Sequence, residues 1–213
     1  MVNLAGIVYL STVDWYGKAA MVIFLRGCPL RCPHCHNAEF RTGETEVPLS
    51  RIGDIMRSAQ GLISAVVLSG GEPLMQGAYA DMIRKMAKAL GYEAAVETSG
   101  FYPVGEWDHV FLDVKTSLRK DEYNSYVGDD RAFDNLVANL EVLDPKKTEI
   151  RVVLFKDSKY DLITLGILKG FPIRVLRGDV EEDTMLGFAR LLAASMGCRV
   201  IDKSHWMALI GGE

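Results

Sequence analysis

Three of the four cysteines in this chain lie within one short stretch, "RGCPLRCPHCHN". Cys28, Cys32 and Cys35 are separated by three and then by two residues, so one loop carries three thiols. A [4Fe–4S] cluster normally takes four thiolates, and three would leave one iron open to a substrate or cofactor. A zinc ion bound by the three thiolates and by His34 or His36 is the alternative. The spacing therefore predicts a metal centre and leaves both kinds open.

The fourth cysteine, Cys198, lies far downstream in the apolar stretch "GCRVI", and we expect it to be an ordinary buried thiol. The N-terminus shows no signal peptide, and the early apolar run "AAMVIFL" is far shorter than the roughly 20 residues of a membrane span. We therefore expect a cytoplasmic protein without a membrane partner, in which thiols remain reduced. Clustered cysteines in that compartment indicate metal binding or catalysis.

Length and charge set further bounds. A chain of 213 residues can bury one full hydrophobic core, so we expect a single domain over 1–213. The formal net charge of −4 argues against a nucleic-acid partner held through phosphate contacts.

Short apolar runs alternate with segments of helical periodicity along the chain. The runs predict strands over 19–25, 65–69, 92–97, 109–114, 149–155 and 172–177. The periodic segments predict helices over 49–60, 77–91, 131–144 and 180–197. Strand followed by helix, about six times, is typical of parallel βα units. The chain is too short for a complete eightfold barrel, so we predict an α/β fold with a partial (β/α)6 barrel of parallel strands and outer helices. An open doubly wound sheet is the alternative.

Polar residues gather where the predicted strands end. The cysteine stretch follows the first run, and the next ends carry "SGGEP", "ETSG", "DVK", the pair Lys156 and Asp157, and Arg177. Parallel α/β folds place their active sites at the carboxyl edge of the sheet. The pattern therefore predicts one site built from several loops. Arg151, within a predicted strand, either reaches into the barrel toward that site or pairs with an acid on the outside.

These motifs together resemble the radical S-adenosylmethionine (SAM) enzymes. "FLRGCPLRCPHCHN" resembles the cluster loop of the activating enzymes of glycyl-radical enzymes. "GIVYLSTVDWYGK" resembles the N-terminal stretch of activating proteins for anaerobic ribonucleoside-triphosphate reductase. "SGGEP" and "DVK" fall where that family has its methionine-binding loop and its Asp-x-Lys. The resemblance is clear over residues 6–116 and then fades.

The resemblance implies two cofactors, a [4Fe–4S] cluster and S-adenosylmethionine, and a role for each motif. The cluster would be held by Cys28, Cys32 and Cys35. The remaining site residues would bind S-adenosylmethionine: the imidazole of His34 would face its adenine, the backbone at Gly70 and Gly71 and the charge of Glu72 would lie near its ammonium group, and Thr98, Asp113 and Lys115 would complete the site, with Lys115 facing its carboxylate. Residues of the chain that take part directly in the chemical step are not identified.

The resemblance also implies a reaction. One electron would cleave S-adenosylmethionine to methionine and a 5′-deoxyadenosyl radical, which would take a hydrogen atom from a glycine of a partner glycyl-radical enzyme. That partner would be an anaerobic ribonucleotide reductase, and flavodoxin or ferredoxin would donate the electron. Two alternatives stay open: a radical enzyme acting on a small molecule such as a 7-deazaguanine precursor, and a zinc or iron–sulfur binding module without catalysis. His109 and His205 are expected to be structural or exposed.

Overall fold

The computed structural model describes residues 1–196, 200–202 and 208–209. The chain divides into two compact units, residues 1–110 and 111–213. Strands alternate with helices in both units, which confirms the α/β class. The expectation of one domain over 1–213 stays a prediction. Cys198, His205 and the last residue of the predicted helix over 180–197 lie outside the described residues.

The first unit is built on a mixed sheet. Its strands are β1 (Val2–Ser11), β2 (Ala20–Leu25), β3 (Glu46–Val47), β4 (Ala65–Gly70) and β5 (Glu93–Thr98). β2, β4 and β5 are parallel neighbours, whereas β1 pairs with β2, and β3 with β1, in antiparallel fashion. The three predicted strands of this unit are confirmed as β2, β4 and β5. β1 and β3 were not predicted.

Burial explains why these parallel strands form. All residues of β4 are buried, as expected for a strand covered on both faces. Helices α1 (Leu49–Ser58) and α2 (Gly77–Ala89) bury apolar side chains spaced three and four residues apart, Ile52 and Met56 in α1 and Ala80, Ile83 and Ala87 in α2. The buried Tyr92 hydroxyl donates to the Met56 carbonyl at 2.8 Å and so fastens the end of α1 to the residue before β5.

The second unit begins within strand β6 (His109–Val114). Its further elements are, in chain order, α3 (Lys120–Val127), α4 (Ala132–Val142), β7 (Thr148–Leu154), α5 (Leu162–Leu165), β8 (Ile173–Arg177), α6 (Glu182–Met196), β9 (Val200–Asp202) and β10 (Ala208–Leu209). β7, β8 and β9 are parallel neighbours, and β10 pairs with β9 in antiparallel fashion. The strands predicted over 109–114, 149–155 and 172–177 are confirmed as β6, β7 and β8. α3 and α5 were not predicted.

Among the described residues, no helix combines the length and the apolar character needed to cross a bilayer.

Candidate active site

The three clustered cysteines follow β2 directly. Cys28, Cys32 and Cys35 are all partly buried, and none of the three forms a disulfide with another described residue. Within the part of the chain that the structure describes, no three His, Cys, Asp or Glu side chains converge on a position for a single metal ion. Three soft thiol donors on one loop are the ligands that iron–sulfur clusters use, with one iron left for another ligand. The donor set therefore fits a [4Fe–4S] cluster.

The cluster loop, residues 26–37, is fastened to the chain that follows it. The Arg26 guanidinium donates to the carbonyls of Glu39 and Thr42 at 3.0 and 3.1 Å. The Gly27 N–H donates to the Phe40 carbonyl at 2.8 Å. Gly27 has φ +95°, a conformation that glycine adopts without strain. These contacts fix the backbone immediately before Cys28.

The thiol of Cys28 is harder to ionise than a solvent-exposed cysteine. Burial raises the pKa of Cys28 from 9.0 to about 11, and a hydrogen bond from the Leu30 backbone opposes this rise. Metal binding requires the thiolate, so loading of the site releases a proton from Cys28 and is favoured by alkaline pH.

A labelling experiment tests this pKa. Alkylating agents react with the thiolate, so near pH 8 the metal-free folded protein should label Cys28 about 10-fold more slowly than a thiol of pKa 9.0, because the higher nucleophilicity of a more basic thiolate offsets part of its smaller population. Iodoacetamide labelling followed by peptide mass spectrometry measures the rate, with the same protein in urea as the control. Equal Cys28 rates in the folded and unfolded protein would contradict the expectation.

The glycines of "SGGEP" bring two backbone segments together. A Cβ on Gly70, which has φ +135°, would lie 2.1 Å from the Leu25 carbonyl oxygen. A Cβ on Gly71 would lie 2.4 Å from the Gly27 carbonyl oxygen and 3.1 Å from Cβ of Cys28. Both positions therefore require glycine, because the end of β2 lies so close to Gly70 and the cluster loop so close to Gly71. Their predicted approach to a methionyl ammonium group stays a prediction.

Glu72 is buried and fully engaged by protein donors. Its side chain is only 1% exposed. Its carboxylate accepts from the Leu74 N–H at 3.2 Å, the Thr98 hydroxyl at 2.7 Å, and the N–H and hydroxyl of Ser99 at 2.9 and 2.6 Å. Burial raises the pKa of Glu72, and these hydrogen bonds oppose the rise. In this structure Glu72 thus joins the "SGGEP" segment to the end of β5, and its predicted effect on the ammonium group stays a prediction.

Thr98 ends β5 and positions Glu72. Besides donating to Glu72, its hydroxyl accepts from the Gly100 N–H at 3.1 Å. Beside it, the Ser69 hydroxyl donates to Glu97 at 2.9 Å, which gives a second side-chain link between the ends of β4 and β5. Direct contact of Thr98 with the cofactor stays a prediction.

The "DVK" motif lies in the second unit as an ion pair. The Lys115 ammonium donates to Asp113 at 2.7 Å, and both side chains are mostly buried. The residue between them is held by Tyr160, whose hydroxyl donates to the Val114 carbonyl at 2.9 Å. Burial raises the pKa of Tyr160, while the positive charge of Lys115 opposes this rise. The pairing orients Lys115, and its predicted contact with a carboxylate stays a prediction.

Arg151 is part of a buried ion-pair cluster. Arg174 lies opposite it on β8 and binds both oxygens of Glu149 at 2.7 and 2.8 Å. The Arg151 Nε donates to Glu149 at 3.3 Å, and its guanidinium carbon lies 3.8 Å from the centre of the Phe111 ring. Of the two possibilities left open by the sequence, the structure shows pairing with an acid.

The other residues noted in the sequence are dispersed. His34 lies between Cys32 and Cys35 in the sequence, and its side chain is partly buried. Its contact with an adenine stays a prediction. His109 stacks on Trp15 with ring centres 5.5 Å apart, a structural arrangement. Lys156 lines a cavity of about 630 Å³ within the second unit, together with Phe155, Phe188 and Leu191 among others.

Sequence reasoning missed Gln76. Its side chain forms hydrogen bonds with the backbone of Asn3 and Arg26, at distances between 2.8 and 3.0 Å. No motif or spacing indicated it, because its partners are backbone atoms 73 and 50 positions away in the chain.

Comparison with known proteins places this site in a family. Residues 22–156, more than half of the chain, match the family model described as Radical SAM superfamily. A candidate glycyl-radical enzyme activating enzyme of Methanocaldococcus jannaschii is 36% identical over 137 residues, 58% of this chain and 54% of that protein. The pyruvate formate-lyase-activating enzyme of Clostridium pasteurianum is 31% identical over 164 residues, 68% of this chain and 67% of that enzyme. The chain thus spans about half to two thirds of these relatives.

Other relatives are named for a different activity. The 7-carboxy-7-deazaguanine synthase of Pyrobaculum aerophilum is 34% identical over 211 residues, 90% of this chain and 86% of that enzyme. Among solved structures, QueE from Escherichia coli matches with a TM-score of 0.53 at 16% identity, over 94% of this chain and 89% of QueE. Streptococcus suis SuiB bound to S-adenosylmethionine matches with a TM-score of 0.60 at 12% identity, over 83% of this chain and 47% of SuiB. At these identities the likeness shows the fold, and it confirms the predicted partial barrel.

Proposed function

The chain belongs to the radical SAM superfamily, whose enzymes use a [4Fe–4S] cluster and S-adenosylmethionine, and from this premise we propose that it activates a glycyl-radical enzyme. Its substrate is then a glycine in the backbone of a partner protein, from which it removes one hydrogen atom. We propose an anaerobic ribonucleotide reductase as the partner and a flavodoxin or ferredoxin as the electron donor.

One observation carries this proposal. Two relatives with 36% and 31% identity are named as activating enzymes, one of them for pyruvate formate-lyase. The N-terminal stretch and the cluster loop, which resemble those of activating enzymes, both lie in the described first unit.

The residues of the chain hold and orient the reactants. When bound, the cluster would relay the electron from the donor protein, and S-adenosylmethionine would supply the 5′-deoxyadenosyl radical that takes the hydrogen atom. Cys28, Cys32 and Cys35 would bind the cluster, while the ion-paired Lys115 would offer its charge to the methionyl carboxylate. His34, Gly70, Gly71, Glu72, Thr98 and Asp113 complete the proposed S-adenosylmethionine site.

Electron paramagnetic resonance tests the proposal. Reduced protein, S-adenosylmethionine and a candidate reductase, incubated without oxygen, should give a protein-based glycyl doublet. The matched control is the reductase with alanine in place of its target glycine, which should give no doublet. Absence of the doublet with every candidate partner, while 5′-deoxyadenosine accumulates, would overturn the proposal.

A second candidate function is favoured by the length of one match. The Pyrobaculum aerophilum 7-carboxy-7-deazaguanine synthase aligns with 90% of this chain, which points to a small-molecule substrate such as a 7-deazaguanine precursor. In that case a pterin-like compound, and no partner protein, would accelerate 5′-deoxyadenosine formation. The same anaerobic assay, run with each addition separately, distinguishes the two functions.

A further inference from the structure

The end of β2 is joined to the segment 70–76 at three consecutive carbonyl groups. The Leu25 carbonyl accepts from the Gly71 N–H at 3.0 Å, and the Gly27 carbonyl accepts from the Glu72 N–H at 2.8 Å. Between them, the Arg26 carbonyl accepts from the side-chain amide of Gln76 at 3.0 Å. Gln76 thus provides the side-chain contribution to a junction otherwise made by backbone N–H groups.

The amide of Gln76 also binds β1. Its Oε1 accepts from the Asn3 N–H at 3.0 Å, and its Nε2 donates to the Asn3 carbonyl at 2.8 Å as well as to Arg26. One acceptor and two donors are required at once, a combination that a carboxylate or an ammonium group does not offer. The chemistry of this position is therefore specific for an amide of this length.

The junction between residues 25–27 and 70–76 connects two loops, one proposed to bind the cluster and the other to bind S-adenosylmethionine. Arg26 lies two residues before the cluster ligand Cys28, and Gly70 and Gly71 belong to the segment that would meet the methionyl group. On the other side of the junction, the Asn37 amide, two residues after Cys35, donates to the Gly70 carbonyl at 3.3 Å. The relative position of cluster and methionine loop is thus set by hydrogen bonds at both ends of the cluster loop.

We propose that Gln76 is a positioning residue that fixes the cluster loop against the methionine-binding loop and thereby sets the affinity for S-adenosylmethionine. It acts through the Arg26 carbonyl and touches neither cofactor. The inference rests on the cofactors of the family and is independent of which partner or small molecule is the final substrate.

The variant Gln76→Glu tests the inference because it keeps the side-chain shape and removes both donors. Residues that hold the ligands of a metal site in place typically contribute 10- to 100-fold to affinity or activity. We therefore expect KM for S-adenosylmethionine to rise at least about 10-fold in this variant. The kcat of partner-free 5′-deoxyadenosine formation should change much less. Gln60→Ala, an exposed glutamine outside the junction, is the matched control and should behave as wild type.

Three further measurements separate positioning from folding. The iron content of Gln76→Glu should stay close to wild type, and its urea midpoint should fall only modestly, because Gln76 is half-buried and water can replace the lost donors. The electron paramagnetic resonance spectrum of its reduced cluster should shift less when S-adenosylmethionine is added. Wild-type KM and spectral shift would overturn the inference. Loss of iron and of stability in parallel with binding would also overturn it, since Gln76 would then serve the fold. None of these readouts uses a partner, so the proposed function can fail while this inference holds.

Discussion

Replacing Cys32 with serine is expected to abolish cleavage of S-adenosylmethionine and to prevent assembly of an intact cluster. The chain offers three clustered thiols, and a [4Fe–4S] cluster that loses one of three protein ligands keeps only two. A serine hydroxyl is a poor substitute, since clusters select soft thiolates. Iron and sulfide per chain after anaerobic reconstitution, and 5′-deoxyadenosine under dithionite, measure the two effects.

The fourth cysteine provides the matched control for that experiment. Cys198→Ser should retain wild-type iron content and cleavage rate, because we expect Cys198 to be an ordinary thiol outside the cluster loop. An iron content near four per chain in Cys32→Ser would contradict the cluster assignment. One zinc per chain in the wild type, without brown absorbance after reconstitution, would contradict it more deeply and favour a closed structural site.

The cluster loop could be predicted from sequence because metal ligands must keep their type and spacing. The side chains that support it could not. The charge of Glu72 near the cofactor stays a prediction, but no motif indicated that four protein donors from three residues would occupy its carboxylate. Gln76 gave no signal at all, since one amide recognising two distant backbone segments leaves no pattern in the chain. Such contacts form only when the fold brings distant segments of the chain together, and the local sequence does not indicate which segments these are.

The same distinction holds for the fold. The six predicted strands are confirmed because buried parallel strands read as continuous apolar runs. β1 was missed although it has ten residues, because it is antiparallel, has several half-exposed or exposed positions and carries register shifts against β2. α3 was missed because "KDEYNSYV" is polar and buries little beyond Tyr123 and Val127. Its one usable signal was Gly128, which ends the helix in the left-handed conformation at φ +77°.

Replacing Gly70 with alanine is expected to destabilise the protein by roughly 3–4 kcal/mol, from backbone strain and overpacking together. The strain arises because Gly70 has φ +135°, which L side chains rarely adopt. The overpacking arises because the new Cβ would lie 2.1 Å from the Leu25 carbonyl oxygen, a backbone atom of a buried strand that cannot move aside. Urea denaturation followed by circular dichroism measures the change in the free energy of unfolding.

Gly77→Ala is the matched control, seven residues further along. Gly77 begins α2 with φ −51°, and a Cβ there meets no atom within 4 Å, so alanine should stabilise the protein by about 0.5–1 kcal/mol. If Gly70→Ala destabilises the protein and Gly77→Ala stabilises it, the effect is determined by the close approach of the two chain segments at Gly70. The loss of a glycine as such would not explain it. A loss below about 1 kcal/mol in Gly70→Ala would mean that the "SGGEP" backbone can move away from β2. The position of the methionine-binding loop against the cluster loop would then be adjustable. The arrangement of the two loops, on which the positioning role of Gln76 rests, would have to be set by the cofactors themselves.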